Sequence, residues 1–266
     1  MFWKKRKDST QLRWAVAGTF GLMVIVNALA NILPIAGVTT GAVSDSYPNL
    51  FAPSGFTFAV WGVIYLLLAI YTLYQLGVIG VKKPGLKQQT VDKVSQYFVA
   101  SSLINSVWIF AWHFRVMWLS VLLIAGLLYC LIRINDLLSK DSMTARENWL
   151  VKVPFGVYAG WITVATIANV TTWLVSIGWD GGGLSQGFWT VALLVVSAVI
   201  AIATMMRYDS WAYGAVVVWA YAGILTKHLS ETGWNGQWPS VLAALYIIMP
   251  ILIIATLDVA RRQIRR

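Results

Sequence analysis

The chain has 266 residues; 59% are apolar and only 11% charged, where a soluble domain has roughly 25% charged. Such a chain cannot cover itself with polar surface in water, which excludes a soluble globular protein. The net charge of +10 would ordinarily suggest a nucleic-acid partner, but Lys and Arg sit in short segments between long apolar runs, so no nucleic acid is expected.

Stretches of roughly 20 apolar residues can cross the hydrocarbon core as helices. Eight are expected, over 14–36, 55–78, 96–113, 116–135, 153–176, 188–206, 210–227 and 239–259. The first follows a basic N-terminus but is too long for a signal-peptide core, so it reads as a retained helix. The third and fourth are joined through His113, Phe114 and Arg115, and the sixth and seventh through Arg207, Tyr208 and Asp209. The fold class is therefore an all-α integral membrane protein.

The positive-inside rule sets the orientation. With the N-terminus inside, the inner segments hold Lys4, Lys5, Arg6, Lys7 and Arg13, then Lys82, Lys83, Lys87 and Lys93. They also hold Arg133, Lys140, Arg146 and Lys152, then Arg207, Arg261, Arg262, Arg265 and Arg266. Only Arg115 and Lys227 fall outside, a split of 18 to 2 among the 20 Lys and Arg. A multi-pass protein with both termini cytoplasmic is expected, and its partner is the lipid bilayer. Trp179, Trp189, Trp234 and Trp238 lie at span ends, where amphipathic rings settle at headgroup level. The glycines of 181–183 are expected to form a flexible connection.

Few residues could carry chemistry. The single cysteine, Cys130, rules out an intrachain disulfide and a Cys-clustered metal site. No phosphate-binding Gly loop, His-Glu metal motif or nucleophile elbow occurs. The two histidines, His113 and His228, fall at outer span ends and read as solvated turn residues. No span carries Asp or Glu near its middle, which speaks against proton- or cation-coupled transport. Asp258, close to Arg261 and Arg262, reads as a local charge pair. Lys227 is too near its span end for a retinal Schiff base and reads as a snorkelling lysine.

What remains are amides and indoles on shared helical faces. Asn27 and Asn31 are four apart, as are Trp61 and Tyr65. Asn105 and Trp108 are three apart, and Trp161, Ala165 and Asn169 form a stripe. An amide in lipid needs a partner, so these faces should point into the bundle, either for interhelical bonding or to line a pocket for a flat apolar ligand. Gly214 and Gly223 would permit close approach on the seventh helix.

Three segments resemble the TspO/MBR family of tryptophan-rich sensory proteins, related to the mitochondrial translocator protein. They are FAPSGFTFAVWGVIY (Phe51 to Tyr65), NSVWIF (Asn105 to Phe110) and WITVATIAN (Trp161 to Asn169), and the resemblance covers about 14–176. It implies a five-helix bundle over 1–176 with a side-opening pocket and a lid at about 37–54. About three additional transmembrane helices, over 177–266, would pack on that bundle. It also implies a receptor or sensor for a porphyrin (tetrapyrrole) or sterol-like ligand, with Trp61, Tyr65, Asn105, Trp108, Trp161, Ala165 and Asn169 lining the site. The open alternatives are a permease for an apolar metabolite and a membrane enzyme degrading tetrapyrroles by indole photochemistry through Trp61 and Trp161. A non-enzyme without resident cofactor or metal is the expectation, in a bacterial plasma membrane and with room for a homodimer.

Overall fold

The computed structural model describes residues 7–33, 35–81 and 84–264. The expected inner-face charges Lys4, Lys5, Arg6, Lys82, Lys83, Arg265 and Arg266 lie outside the described residues. Eight long helices follow one another: α1 Lys7–Ile32, α2 Val60–Leu76, α3 Gln88–His113, α4 Met117–Leu138, α5 Val153–Ser176, α6 Gln186–Arg207, α7 Trp211–Leu229 and α8 Pro239–Ile264. A 3-10 turn, Gly55–Ala59, leads into α2, and a capped turn with a π segment, Ala145–Lys152, leads into α5. A short helix, Thr40–Asp45, lies in the loop between α1 and α2.

All eight expected spans are helical, and seven are long and apolar enough to cross a membrane. The exception is α7, expected over 210–227. It carries Tyr213, Tyr221, Thr226, Lys227 and His228, and it is enclosed by α5, α6 and α8. A helix that protein surrounds on several sides can be less apolar than one that faces lipid. Helix α3 begins at Gln88 rather than at 96, because hydropathy sees only the apolar part of a helix that continues into Asp92 and Lys93.

Packing runs around the bundle. Helix α1 lies on α2 and α3, α3 on α4, and α4 on α5. Helix α5 also packs on α7, and α8 covers α6 and α7. The α5–α7 seam is set by two small residues four apart. A Cβ on Gly156 would meet Ser210 Oγ at 2.6 Å, and one on Gly160 would meet the Tyr213 carbonyl oxygen at 2.6 Å. These backbones touch, the arrangement small residues allow where no hydrophobic force separates helix from lipid. The two glycines expected to matter on α7 also lie in close contacts. Gly214 abuts Thr256 of α8, and Gly223 abuts Thr57 of the turn before α2.

Buried amides bridge helices as lipid immersion requires. Asn27 Nδ2 of α1 donates to Asn105 Oδ1 of α3 at 2.7 Å, and Ser120 Oγ of α4 donates to Asn169 Oδ1 of α5 at 2.7 Å. At the opposite end of the bundle, the fully buried Glu147 accepts from the backbone N–H of Gly85 (2.9 Å), Leu86 (3.2 Å) and Thr144 (2.9 Å), and from Tyr74 Oη (3.4 Å). It thereby ties the α2–α3 loop to the α4–α5 loop. Arg262 pairs with Asp258, as expected.

Candidate functional site

Helices α2, α3 and α5 each turn an aromatic or small-residue stripe toward one another under the α1–α2 loop. Trp61 is the centre. Its ring lies 5.5 Å from Tyr65 and nearly parallel to it, 6.5 Å from Trp108, and 6.3 Å from Trp161 edge-on. Trp112 stacks on Trp108 at 5.7 Å, and Phe58 meets Trp161 edge-to-face at 5.8 Å. Such offset and T-shaped pairs are the favourable arrangements for rings with a negative face and positive edge.

Between these rings lies a void of about 40 Å³. Of the seven residues read from the sequence, Trp61, Trp108, Trp161, Ala165 and Asn169 line it. Tyr65 stands behind Trp61, and Asn105 turns to Asn27 on α1; neither lines the void. Phe58, Trp112, Val164 and Ala168 complete the helical wall, with Ser44 and Pro53 of the loop above. Helical spacing could have found several of these. Phe58 precedes Trp61 by three residues, Trp112 follows Trp108 by four, and Ala168 follows Ala165 by three.

The polar groups of this wall are incompletely satisfied. Trp108 Nε1, Trp161 Nε1 and Asn169 Nδ2 are buried N–H donors without a hydrogen-bond partner among the described residues. Asn169 is held at its oxygen by Ser120, which leaves the amide nitrogen for something else. Three orphan donors around one void are unusual, because each such buried group costs about 1–3 kcal/mol.

The loop over the void is fastened at both ends by histidines, contrary to the expectation from the sequence. His113 and His228 are 1% and 0% exposed, not solvated turn residues. The α1–α2 loop folds back onto the helix ends and buries them. His113 Nδ1 donates to the Ile35 carbonyl at 3.0 Å, and its Nε2 meets Thr40 Oγ1 at 3.1 Å, while Trp112 Nε1 donates to the Thr40 carbonyl at 3.1 Å. His228 Nε2 donates to the Leu50 carbonyl at 2.9 Å.

Helix α7 adds further ties. Lys227 pairs with Asp45 at 2.7 Å rather than reaching freely toward a membrane surface. The Ser54 N–H donates to the Gly223 carbonyl at 3.1 Å, and Trp219 Nε1 donates to the Thr57 carbonyl at 3.0 Å. The loop that caps the void is therefore bonded to a helix outside the first five. No group of His, Cys, Asp or Glu suited to a metal ion occurs among the described residues.

A family model described as TSPO-like protein matches residues 13–257. The match runs through all eight helices and so includes the three beyond residue 176. No curated protein and no solved structure matches the chain.

Proposed function

Because the chain belongs to the TSPO-like protein family and is a multi-pass helical membrane protein, we propose that it is a membrane receptor or sensor for a flat, largely apolar ligand of the porphyrin or sterol-like kind. The observation that carries this reading is the wall of four indoles with three unpartnered donors. Indole faces suit a flat conjugated ring, and Trp108 Nε1, Trp161 Nε1 and Asn169 Nδ2 suit acceptor atoms on its rim, such as carbonyl or carboxylate oxygens. Ligand pockets span about 300–1,000 Å³, so a void of about 40 Å³ is a closed state. Binding requires the loop carrying Ser44 and Pro53 to lift.

Among the described residues no Asp or Glu lines the void, which favours binding over acid–base catalysis. The charge pattern supports both termini on the cytoplasmic side; in this reading the first five helices form the pocket and α7 braces its loop.

Spectral titration of the purified protein with porphyrins, haem and sterols tests the reading. A saturable shift in the absorption of one flat ligand is expected, lost in Ala165→Trp and weakened in Trp161→Phe, which keeps an aromatic face but removes the N–H. If no member of the panel binds, or Ala165→Trp binds as the parent does, the reading fails.

A further inference from the structure

A second and larger cavity lies away from the indoles. It is a cleft of about 370 Å³ between the ends of α5 and α6 that face the 177–185 connection, closed on one side by residues 48–51 of the α1–α2 loop. That volume is within the range of ligand pockets, and no substitution or opening is needed to reach it. It exists because α6 packs chiefly on α8 and stands off α5.

The walls have a consistent chemistry. Ile167, Val170, Leu174 and Leu193 supply apolar surface. The threonines among them are internally bonded. Thr166 Oγ1 donates to the Ile162 carbonyl at 2.7 Å, Thr171 to Ala168 at 2.8 Å, and Thr190 to Gln186 at 2.8 Å. Here, unlike around the indoles, no buried donor is left over among the described residues. Apolar cavities do not hold water, and between two membrane-facing helices the available filling is hydrocarbon.

At the mouth, Trp179 and Trp189 lie 5.3 Å apart, and Trp189 Nε1 donates to the Gly181 carbonyl at 2.8 Å. Paired indoles at a span end mark headgroup level. Asp180 is the one ionisable residue of the lining, and 177–187 contain no Lys or Arg. An anionic head would meet a carboxylate and no cation there. From this juxtaposition we propose that the α5–α6 cleft is a lipid site. It takes one hydrocarbon chain of a membrane lipid whose head carries an ammonium group, placed beside Asp180. The site is separate from the indole-lined void and does not rest on the function proposed for it.

The test uses the full chain in nanodiscs containing phosphatidylethanolamine and phosphatidylglycerol, each supplied in turn with a photoreactive acyl chain. Adducts are expected to concentrate on 166–193. The ammonium-headed lipid should give about two- to fivefold more of them, the range that an exposed ion pair supplies. Asp180→Asn should remove that preference and keep the adducts. Val170→Trp and Leu193→Trp, each of which fills the cleft from a different helix, should remove the adducts. Labelling spread over all lipid-facing helices, or unchanged in both tryptophan variants, overturns the site. Equal or greater yield from phosphatidylglycerol overturns the ammonium assignment. The parent protein alone decides the location, so a variant that fails to fold leaves the result intact.

Discussion

The two cavities share a wall, the α1–α2 loop, and differ in almost everything else. The indole-lined void is nearly closed, its rings hold one another in fixed pairs, and three N–H groups around it lack acceptors. The α5–α6 cleft is about nine times larger, aliphatic, and has its threonine hydroxyls bonded to its own helices. The first is unfinished without a polar rim on whatever enters it. The second asks only for hydrocarbon. The lesson is that size alone is a poor guide to specificity. Unsatisfied donors in a small void define a ligand more sharply than a roomy greasy cleft does.

The sharpest way to break the comparison is to remove what both cavities depend on. Gly160→Leu would drive a side chain into the Tyr213 carbonyl and Val216 and force α5 from α7. Overpacking of this kind costs about 1–3 kcal/mol and more where backbone must move, so a marked fall in Tm and loss of both ligand sites are expected. Thermal melts monitored by size-exclusion chromatography would show it. Ala165→Trp and Val170→Trp separate the cavities. They lie on one helix five residues apart, one lining the void and the other the cleft. The first should abolish porphyrin binding and spare lipid labelling, and the second should do the reverse. A shared effect would mean that the two cavities are one.

His228→Leu addresses the common wall. It leaves the Leu50 carbonyl without its donor, at a cost of about 1–3 kcal/mol. Hydrogen exchange over 46–56 should accelerate, and the on- and off-rates of a porphyrin should both rise. The smallest effect belongs to a group that touches neither cavity. Asp141 accepts from Thr90 Oγ1 at 2.5 Å and pairs with Lys87 at 3.0 Å, and these contacts hold its pKa below the ordinary carboxylate value, Thr90 contributing most. A folded-state value below the unfolded one means that its stabilisation is complete above the ordinary carboxylate pKa. It fades as pH falls through the depressed value. The Tm gap between the parent and Asp141→Asn should therefore be present at pH 7 and shrink toward pH 3.

Much of this was readable from the sequence because membrane immersion restricts the options. Long apolar runs had to be helices, and Asn27, Asn105 and Asn169 had to find partners across helices. Spacing put Trp61, Trp108, Trp161, Ala165 and Asn169 on faces that meet. Asn105 shared that periodicity and yet turned to α1, because helical phase gives a face and not the neighbour it meets. The histidines carry no such signal, because their burial comes from a loop folding back over helix ends, a long-range event with no local signature. The cleft left no pattern at all. It is a gap between helices whose residues each look like ordinary lipid-facing positions.

The Glu147 carboxylate carries a consequence for how the protein is made. Its acceptors are filled by the Gly85 and Leu86 amides, and Gly85 lies 62 residues earlier in the chain. At a synthesis rate of roughly 5–20 residues per second, those amides leave the ribosome about 3–12 seconds before their acceptor exists. Until then the loop between α2 and α3 is unsealed. The arrival of Glu147 closes it, and the same carboxylate caps its own helix start through Thr144. One carboxylate thus couples the start of the fifth helix to the loop that joins the second and third.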